Sequence, residues 1–152
     1  MKKILLFIVF LAYLKGYGQE GNIVTGYDYI GRNTFHLGIG LNTYLNKDET
    51  LNLFTTSGVH LTKYEGSTRG IFEVTAACNY SWLLAGATYT PYAVIPKIGF
   101  GVPRSYVYVY VGYVFPTSSS DILDKGIAVG INIDPLYIVA LPLALIIGDP
   151  LR

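Results

Sequence analysis

The sequence predicts an all-β chain: an antiparallel up-and-down membrane β-barrel of about eight strands, preceded by a cleaved signal peptide. Three observations predict it. Apolar residues recur at every second position through several long runs, which is the period of a strand with two different faces. Turn-forming residues separate these runs at short intervals, as an antiparallel meander requires. Charged residues make up only 14% of the 152 residues, against about 25% in ordinary soluble domains, and they gather at the turns.

The chain opens MKKILLFIVFLAYLKGYGQE. Lys2 and Lys3 precede an apolar run from Ile4 to Leu14, followed by the small residues Gly16 and Gly18. That order is the signature of a secretory signal peptide, and the run is short for a membrane-spanning helix. Cleavage is expected close to Gly18, which makes residues 1–18 the signal peptide. Cys78, the single cysteine, lies far from this junction, so it is not a lipidation cysteine. It also has no second cysteine with which to form an internal disulfide. Loss of Lys2, Lys3 and Lys15 leaves 8 Lys+Arg against 10 Asp+Glu, a net charge of −2.

Eight strands are expected over roughly 23–30, 34–45, 51–63, 70–82, 84–91, 95–102, 105–115 and 125–133. The second is the clearest, with Phe35, Leu37, Ile39, Leu41 and Leu45 on one face and Thr34, His36, Gly38, Gly40 and Asn42 on the other. The third sets Leu51, Leu53, Val59 and Leu61 against Asn52, Thr56, Gly58 and His60. The fourth sets Phe72, Val74, Ala76, Cys78 and Tyr80 against Glu73, Thr75, Ala77 and Asn79. In the seventh Val107, Val109 and Val111 oppose Tyr106, Tyr108 and Tyr110; in the eighth Ile127, Val129, Ile131 and Ile133 oppose Gly126, Ala128, Gly130 and Asn132. The breakers are 31–33, 46–49, 65–68, 91–96, 103–104 and 116–125. A weaker one lies near 82–84, where length alone demands a break.

A soluble barrel would keep its apolar set inside and show water a charged set. Here the second set is Gly, Ala, Asn, Thr, Tyr and His. Glu73 is the only charged residue within 34–45, 51–62, 71–82, 105–115 and 126–133. Lys47, Asp48, Glu49, Lys63, Glu65, Arg69, Arg104, Asp121, Asp124 and Lys125 cluster at the turns instead. That distribution predicts an outward apolar band with charged rims. Small inward residues suit a narrow eight-stranded barrel. Aromatic residues such as Tyr27, Tyr29, Tyr44, Tyr64, Tyr80, Trp82, Tyr89, Tyr92 and Tyr113 lie mostly near strand ends. That placement suits interfacial girdles, with a carbohydrate-binding surface as the other reading.

With FHLGIGLNTYL at 35–45, YVYVYVGYVF at 106–115 and GIAVGINI at 126–133, together with the signal peptide, the chain resembles the small eight-stranded outer-membrane β-barrels of diderm bacteria, of the OmpX type. The resemblance covers nearly all of residues 20–133. It implies an outer-membrane location, contact with outer-membrane lipid and assembly by the outer-membrane insertion machinery. Such chains usually finish on an aromatic residue ending the last strand. This one continues through Asp134 and Pro135 into an apolar tail, LYIVALPLALIIGDPLR. Residues 19–134 are thus assigned to the barrel and 135–152 to the tail. Leu136 to Ile147 is too short for a spanning helix. It is expected to cover the barrel or lie in the membrane interface, the alternatives being a partner-binding segment or a ninth strand.

The residues that could carry chemistry are few. Glu73 and Lys97 share the inward parity, as do His60 and His36, so these four are expected to form an interior polar network, because a buried carboxylate needs a partner. The alternative is an ion or proton path. No compact His–Ser arrangement accompanies His36 or His60, so no catalytic residues are assigned. Two histidines 24 positions apart, without further ligands, predict no metal site. The glycine-alternating segments at 38–40, 99–101 and 126–130 are followed by no helix, so they read as interior space-saving and predict no nucleotide site or other cofactor. A net charge of +1 without a basic stripe argues against nucleic acid.

The function expected is therefore a small outer-membrane barrel with a structural or surface-interaction role and no catalysis. The rivals are a lipid-modifying outer-membrane enzyme on the same scaffold and a soluble lipocalin-like carrier of a small apolar ligand. Eight strands leave no open water channel, which argues against a diffusion porin. The longest connection, Pro116 to Lys125, carries Thr117, Ser118, Ser119, Ser120 and Asp121, with Ile122 and Leu123 available for contact. Placing residue 19 in the periplasm puts this connection outside the cell, where small barrels keep their longer loops, and makes it the candidate surface-contact loop.

Overall fold

A computed structural model describes residues 19–102, 107–119 and 122–135. The expected signal peptide (1–18) and the apolar tail beyond Pro135 lie outside the described residues, as do Ser120 and Asp121 of the candidate loop.

Eight strands form one closed antiparallel barrel in sequence order: β1 (Gln19–Ile30), β2 (Asn33–Tyr44), β3 (Leu51–Tyr64), β4 (Ser67–Tyr80), β5 (Leu83–Tyr89), β6 (Ala93–Gly101), β7 (Tyr108–Pro116) and β8 (Gly126–Ile133). Closure is made by β1 against β8, from Thr25 opposite Ile133 to Ile30 opposite Ala128. Closure leaves no strand at a sheet edge.

The strands end where the backbone must reverse. Glu65 and Gly66 both take positive φ, 49° and 76°, which is the geometry a two-residue hairpin needs to match strand twist. This tight turn lets β3 and β4 run to Tyr64 and from Ser67, longer than expected. Pro96 was expected to mark a break but lies inside β6. It stays opposite Ala87 of β5, whereas the ladder to β7 skips from Val94–Phe115 to Lys97–Gly112. A residue without an N–H is tolerated where the ladder is interrupted. Pro116 likewise ends β7 rather than starting the connection.

Parity sorts the side chains as the alternation predicts. Ile39, Ile98 and Ile127 point outward with 70%, 64% and 63% of their surface exposed, while Glu73, Lys97, His36 and His60 point inward and are buried. Tyr44 departs from its expected place in the girdle: it is buried, because it shares the inward parity of Asn42. Among the described residues, Lys63, at the end of β3, is the only charged residue of outward parity in any strand from Ile23 onward.

The connections do not follow the expected division into short turns at one end and longer loops at the other. Connections 31–32, 65–66, 90–92 and 117–125 share one end, and 45–50, 81–82 and 102–107 share the other. Only 117–125 stands out in length. Its second half is not free for contact, contrary to expectation: Leu123 is buried in the apolar cluster and Ile122 packs against it. Arg32 Nε donates to the Ile122 carbonyl at 2.7 Å. Gly31, at φ 83°, passes so close to Asp124 that a Cβ would meet its backbone at 2.5 Å. Residues 122–124 therefore lie over the barrel mouth, where Leu123 joins Ile30, Ala93 and Val114 in the apolar cluster.

A candidate functional site enclosed by the barrel

The lumen centre is a belt of polar side chains supplied by all eight strands. Glu73 of β4 is its hub. Oε1 accepts from Thr56 Oγ1 at 3.0 Å and Oε2 from Thr75 Oγ1 at 2.8 Å. His36 Nε2 stands 2.9 Å from Oε1, and His60 Nε2 stands 3.7 Å from Oε2. Four groups thus surround one carboxylate. A carboxylate enclosed without them would be driven to protonate.

The donor and acceptor roles can be traced outward from groups that have no choice. Asp28 Oδ1 accepts from Asn132 Nδ2 at 3.1 Å, which fixes the amide so that its Oδ1 faces His36 Nδ1 at 2.7 Å. An amide oxygen only accepts, so His36 Nδ1 carries a proton. Its other nitrogen faces the Glu73 carboxylate at ion-pair distance. A ring protonated at both nitrogens is a cation; it then hydrogen-bonds Asn132 through Nδ1 and faces Glu73 through Nε2 by charge, without the alignment of a hydrogen bond. Thr34 gives its one hydroxyl proton to the Asp28 carbonyl at 3.1 Å, so it accepts from His60 Nδ1 at 3.2 Å. The two imidazoles pack against each other with centroids 4.9 Å apart.

Lys97 enters from β6. Its Nζ lies 3.4 Å from Thr75 Oγ1 and 4.5 Å and 5.5 Å from the ring centroids of Tyr110 and Tyr108. The ring faces replace part of the hydration that burial removes. Thr88 hydrogen-bonds Thr75 at 2.6 Å and completes the belt on β5. With His36 protonated, two cations, His36 and Lys97, face two anions, Asp28 and Glu73. A net-neutral buried cluster avoids the large cost of an uncompensated charge.

Glycines make the room. A Cβ on Gly58 would meet His36 Nε2 at 2.7 Å, and one on Gly130 would meet Asp28 Oδ1 at 1.9 Å. These glycines of β3 and β8 are therefore the complement of the belt.

The four residues expected to form an interior network, Glu73, Lys97, His60 and His36, are brought together around one carboxylate. Sequence reasoning missed Asp28, Asn132 and Tyr110. Asp28 was legible by parity, since it falls between the outward Tyr27 and Tyr29. Asn132 was placed on the inward face, but its partner sits 104 residues away and meets it only through closure of the barrel. Of the candidate loop, Thr117, Ser118 and Ser119 are exposed and stand apart from the belt. Towards the 45–50 and 81–82 end a second polar layer follows. There Asn52 donates to Asn42, and Phe54 packs edge-on against Tyr108 at 5.0 Å.

The belt leaves no space for a water-sized molecule among its side chains. Both histidines are committed inside the barrel to threonine, asparagine and carboxylate partners, rather than to a serine at a rim. The arrangement is suited to locking eight strands together. Comparison of the chain with family models, with curated proteins and with solved structures finds no match, so the geometry carries the functional conclusion.

Proposed function

We propose that the chain is a small outer-membrane β-barrel protein of the OmpX type, exported through a cleaved signal peptide, with a structural or surface-interaction role and no catalysis. One observation carries the proposal: the barrel is inverted relative to a water-soluble one. Its exterior is a band of exposed Ile, Leu, Val, Phe and Tyr running around all eight strands, and the charged groups of its strands lie inside or at strand ends. Soluble monomers rarely expose contiguous apolar patches beyond a few hundred Å². A band of this kind is stable in hydrocarbon, where closure of the barrel also removes the open sheet edge that lipid could not satisfy.

The rivals are disfavoured by the same interior. A carrier of a small apolar ligand needs an apolar cavity, and this lumen is filled by matched charges. A lipid-modifying enzyme needs a base beside a nucleophile at the lipid face or rim. On this reading the barrel touches outer-membrane lipid throughout its life and the insertion machinery during assembly, and a surface partner would meet Thr117, Ser118 and Ser119.

Cell fractionation combined with gel mobility before and after heating tests the proposal. The expected result is recovery in the outer-membrane fraction, with a compact, faster-migrating form that heating converts to the full apparent mass. Recovery of the folded chain in the soluble periplasmic fraction would overturn it.

A further inference from the structure

The outer wall has one exception to its own rule. Lys63, next to the end of β3, is the only charged residue of outward parity in the described strands from Ile23 onward. Among the described residues it makes no ion pair. A cation on a lipid-facing strand is costly at the midplane and tolerated near the interface, where an anionic lipid headgroup attracts it.

Lys63 borders a groove of about 510 Å³ on the outer surface of β1–β4. Two rows of outward residues build it. In the row nearer the rim, Tyr29 lies opposite Asn33, and Lys63 lies opposite Thr68. Thr34 opposite Thr62 brings Asn33 beside Lys63, and the Thr62 hydroxyl donates to the Asn33 carbonyl at 2.9 Å. In the row nearer the midplane, Tyr27 lies opposite Phe35, Phe35 opposite Leu61, and Leu61 opposite Gly70. The first row is polar and cationic, and the second is apolar. Asn33 is short between the long side chains of Tyr29 and Lys63, which opens the groove between them. Arg32 closes its top. Its guanidinium lies 4.9 Å from the Tyr64 ring centroid, its Nε donates to the Ile122 carbonyl at 2.7 Å, and Nη2 stands 3.9 Å from Asp124. At this corner Arg32, Lys63 and Arg69 outnumber the carboxylates Glu65 and Asp124.

We infer that this groove binds the phosphate headgroup of an anionic lipid, with Lys63 as its charge partner and the adjoining lipid carbons on Phe35 and Leu61. The inference rests on the membrane reading above and deepens it by naming the class of lipid. Charge complementarity selects the occupant. A zwitterionic headgroup carries its own cation beside the phosphate, and that cation would face Lys63 and Arg32. A free anion would satisfy the lysine but leave the apolar row uncovered. An anionic phospholipid meets both rows at once, since its charge and its chains lie in the order in which the rows occur. Asn33 and Thr68, exposed on either side of Lys63, supply an amide and a hydroxyl that donate to phosphate oxygens. Tyr27 and Tyr29 suit the same boundary, with an apolar ring and a polar tip. With residue 19 in the periplasm, the lipid belongs to the outer leaflet.

The protein is refolded into vesicles of equal phosphatidylcholine and phosphatidylglycerol and checked for flotation with the vesicles and for the compact form by gel mobility. It is then extracted into detergent for native mass spectrometry. The expected result is one phosphatidylglycerol retained per barrel, with a several-fold preference over phosphatidylcholine. Lys63→Gln is expected to lower that preference about five-fold, the factor that one lysine contributes at an anionic lipid surface, and Lys63→Arg to keep it. The control is Lys47→Gln, which removes an exposed lysine from the 45–50 connection at the opposite end and is expected to leave the preference unchanged. Equal loss in the control would reduce the effect to net charge and overturn the inference. Inorganic phosphate in large excess is expected not to displace the lipid; displacement would show a site for a free anion and overturn the lipid as its occupant. A compact chain that floats with the vesicles but shows no preference would overturn this inference alone. A chain that does not float would overturn the membrane reading, and this inference with it.

Discussion

The lumen and the outer wall are built from the same strands, one parity each, yet they tolerate change in opposite ways. On the wall, Phe72, Val74, Leu37 and Ile39 are exposed apolar residues whose identity matters only through apolarity. In the lumen, Glu73 between Phe72 and Val74 is met by Thr56, Thr75, His36 and His60, and Thr75, His36 and His60 each have a second partner, Thr88, Asn132 and Thr34. The wall is specified by solvent, and the belt is specified by pairing. Substitutions that are conservative in one region should be damaging in the other.

The largest effect is expected where pairing is broken. Glu73→Gln keeps the shape but leaves His36 and Lys97 facing a neutral amide, and loss of one partner of a buried ion cluster costs about 3–5 kcal/mol. Urea unfolding of vesicle-embedded protein should show the loss. Adding Lys97→Met should recover part of it, because the surplus cation is removed with its counter-ion. If the double variant is as unstable as the sum of the singles, the two groups are not coupled and the belt is not a charge-balanced unit.

On the wall the order reverses. Ile39→Arg places a charge on the most exposed large apolar residue, at a cost of about 2–4 kcal/mol in a bilayer midplane. Ile39→Leu should be nearly silent, and the contrast between them is measured by the same urea titration. Indifference to arginine would mean that this face meets water, and the proposed location would fail with it.

A smaller but sharper test separates space from charge. Gly58→Ala adds one methyl whose carbon would lie 2.5 Å from the Leu37 carbonyl and 2.7 Å from His36 Nε2. Overpacking of this kind costs about 1–3 kcal/mol. Gly70→Ala in β4, where the nearest atom is a Val59 methyl at 3.2 Å, should cost less. Equal losses would show that the belt yields easily and that the interior glycines are not its complement.

Much of this contrast was legible in the alternation. Period two with the charges exiled to the turns led to the closed barrel, and parity alone brought Glu73, Lys97, His36 and His60 to one interior. Partner choice was not legible. Asp28 meets Asn132 across the β1–β8 seam, and which residues lie at one height depends on register, which no local pattern encodes. Thr56, Thr75 and Thr88 read as ordinary strand residues until Glu73 is placed among them. The 117–125 connection misled for another reason. Its polar composition predicts solvent exposure throughout, but an open barrel mouth needs an apolar cover, and Leu123 is the one apolar side chain there buried deeply enough to supply it.

That connection repeats the contrast between lumen and wall on a smaller scale, and it yields the mildest prediction. Thr117, Ser118 and Ser119 are exposed, with the Thr117 amide tied to the Tyr92 carbonyl at 2.8 Å, whereas Leu123 is anchored in the lumen. An epitope tag inserted between Ser118 and Ser119 lengthens a surface segment, and longer loops raise closure entropy only slowly, by about 0.6 kcal/mol per doubling. The tagged protein should therefore keep its compact form and its urea midpoint within about 0.5 kcal/mol of the parent. If residue 19 begins in the periplasm, β1 runs outward and connection 117–125 shares the external end with 31–32, 65–66 and 90–92. Antibody should then label the tag on intact cells. Labelling that requires permeabilised cells would invert the barrel and remove Thr117–Ser119 as a surface for partners. The belt and the wall would stand unchanged, since neither depends on which end faces out.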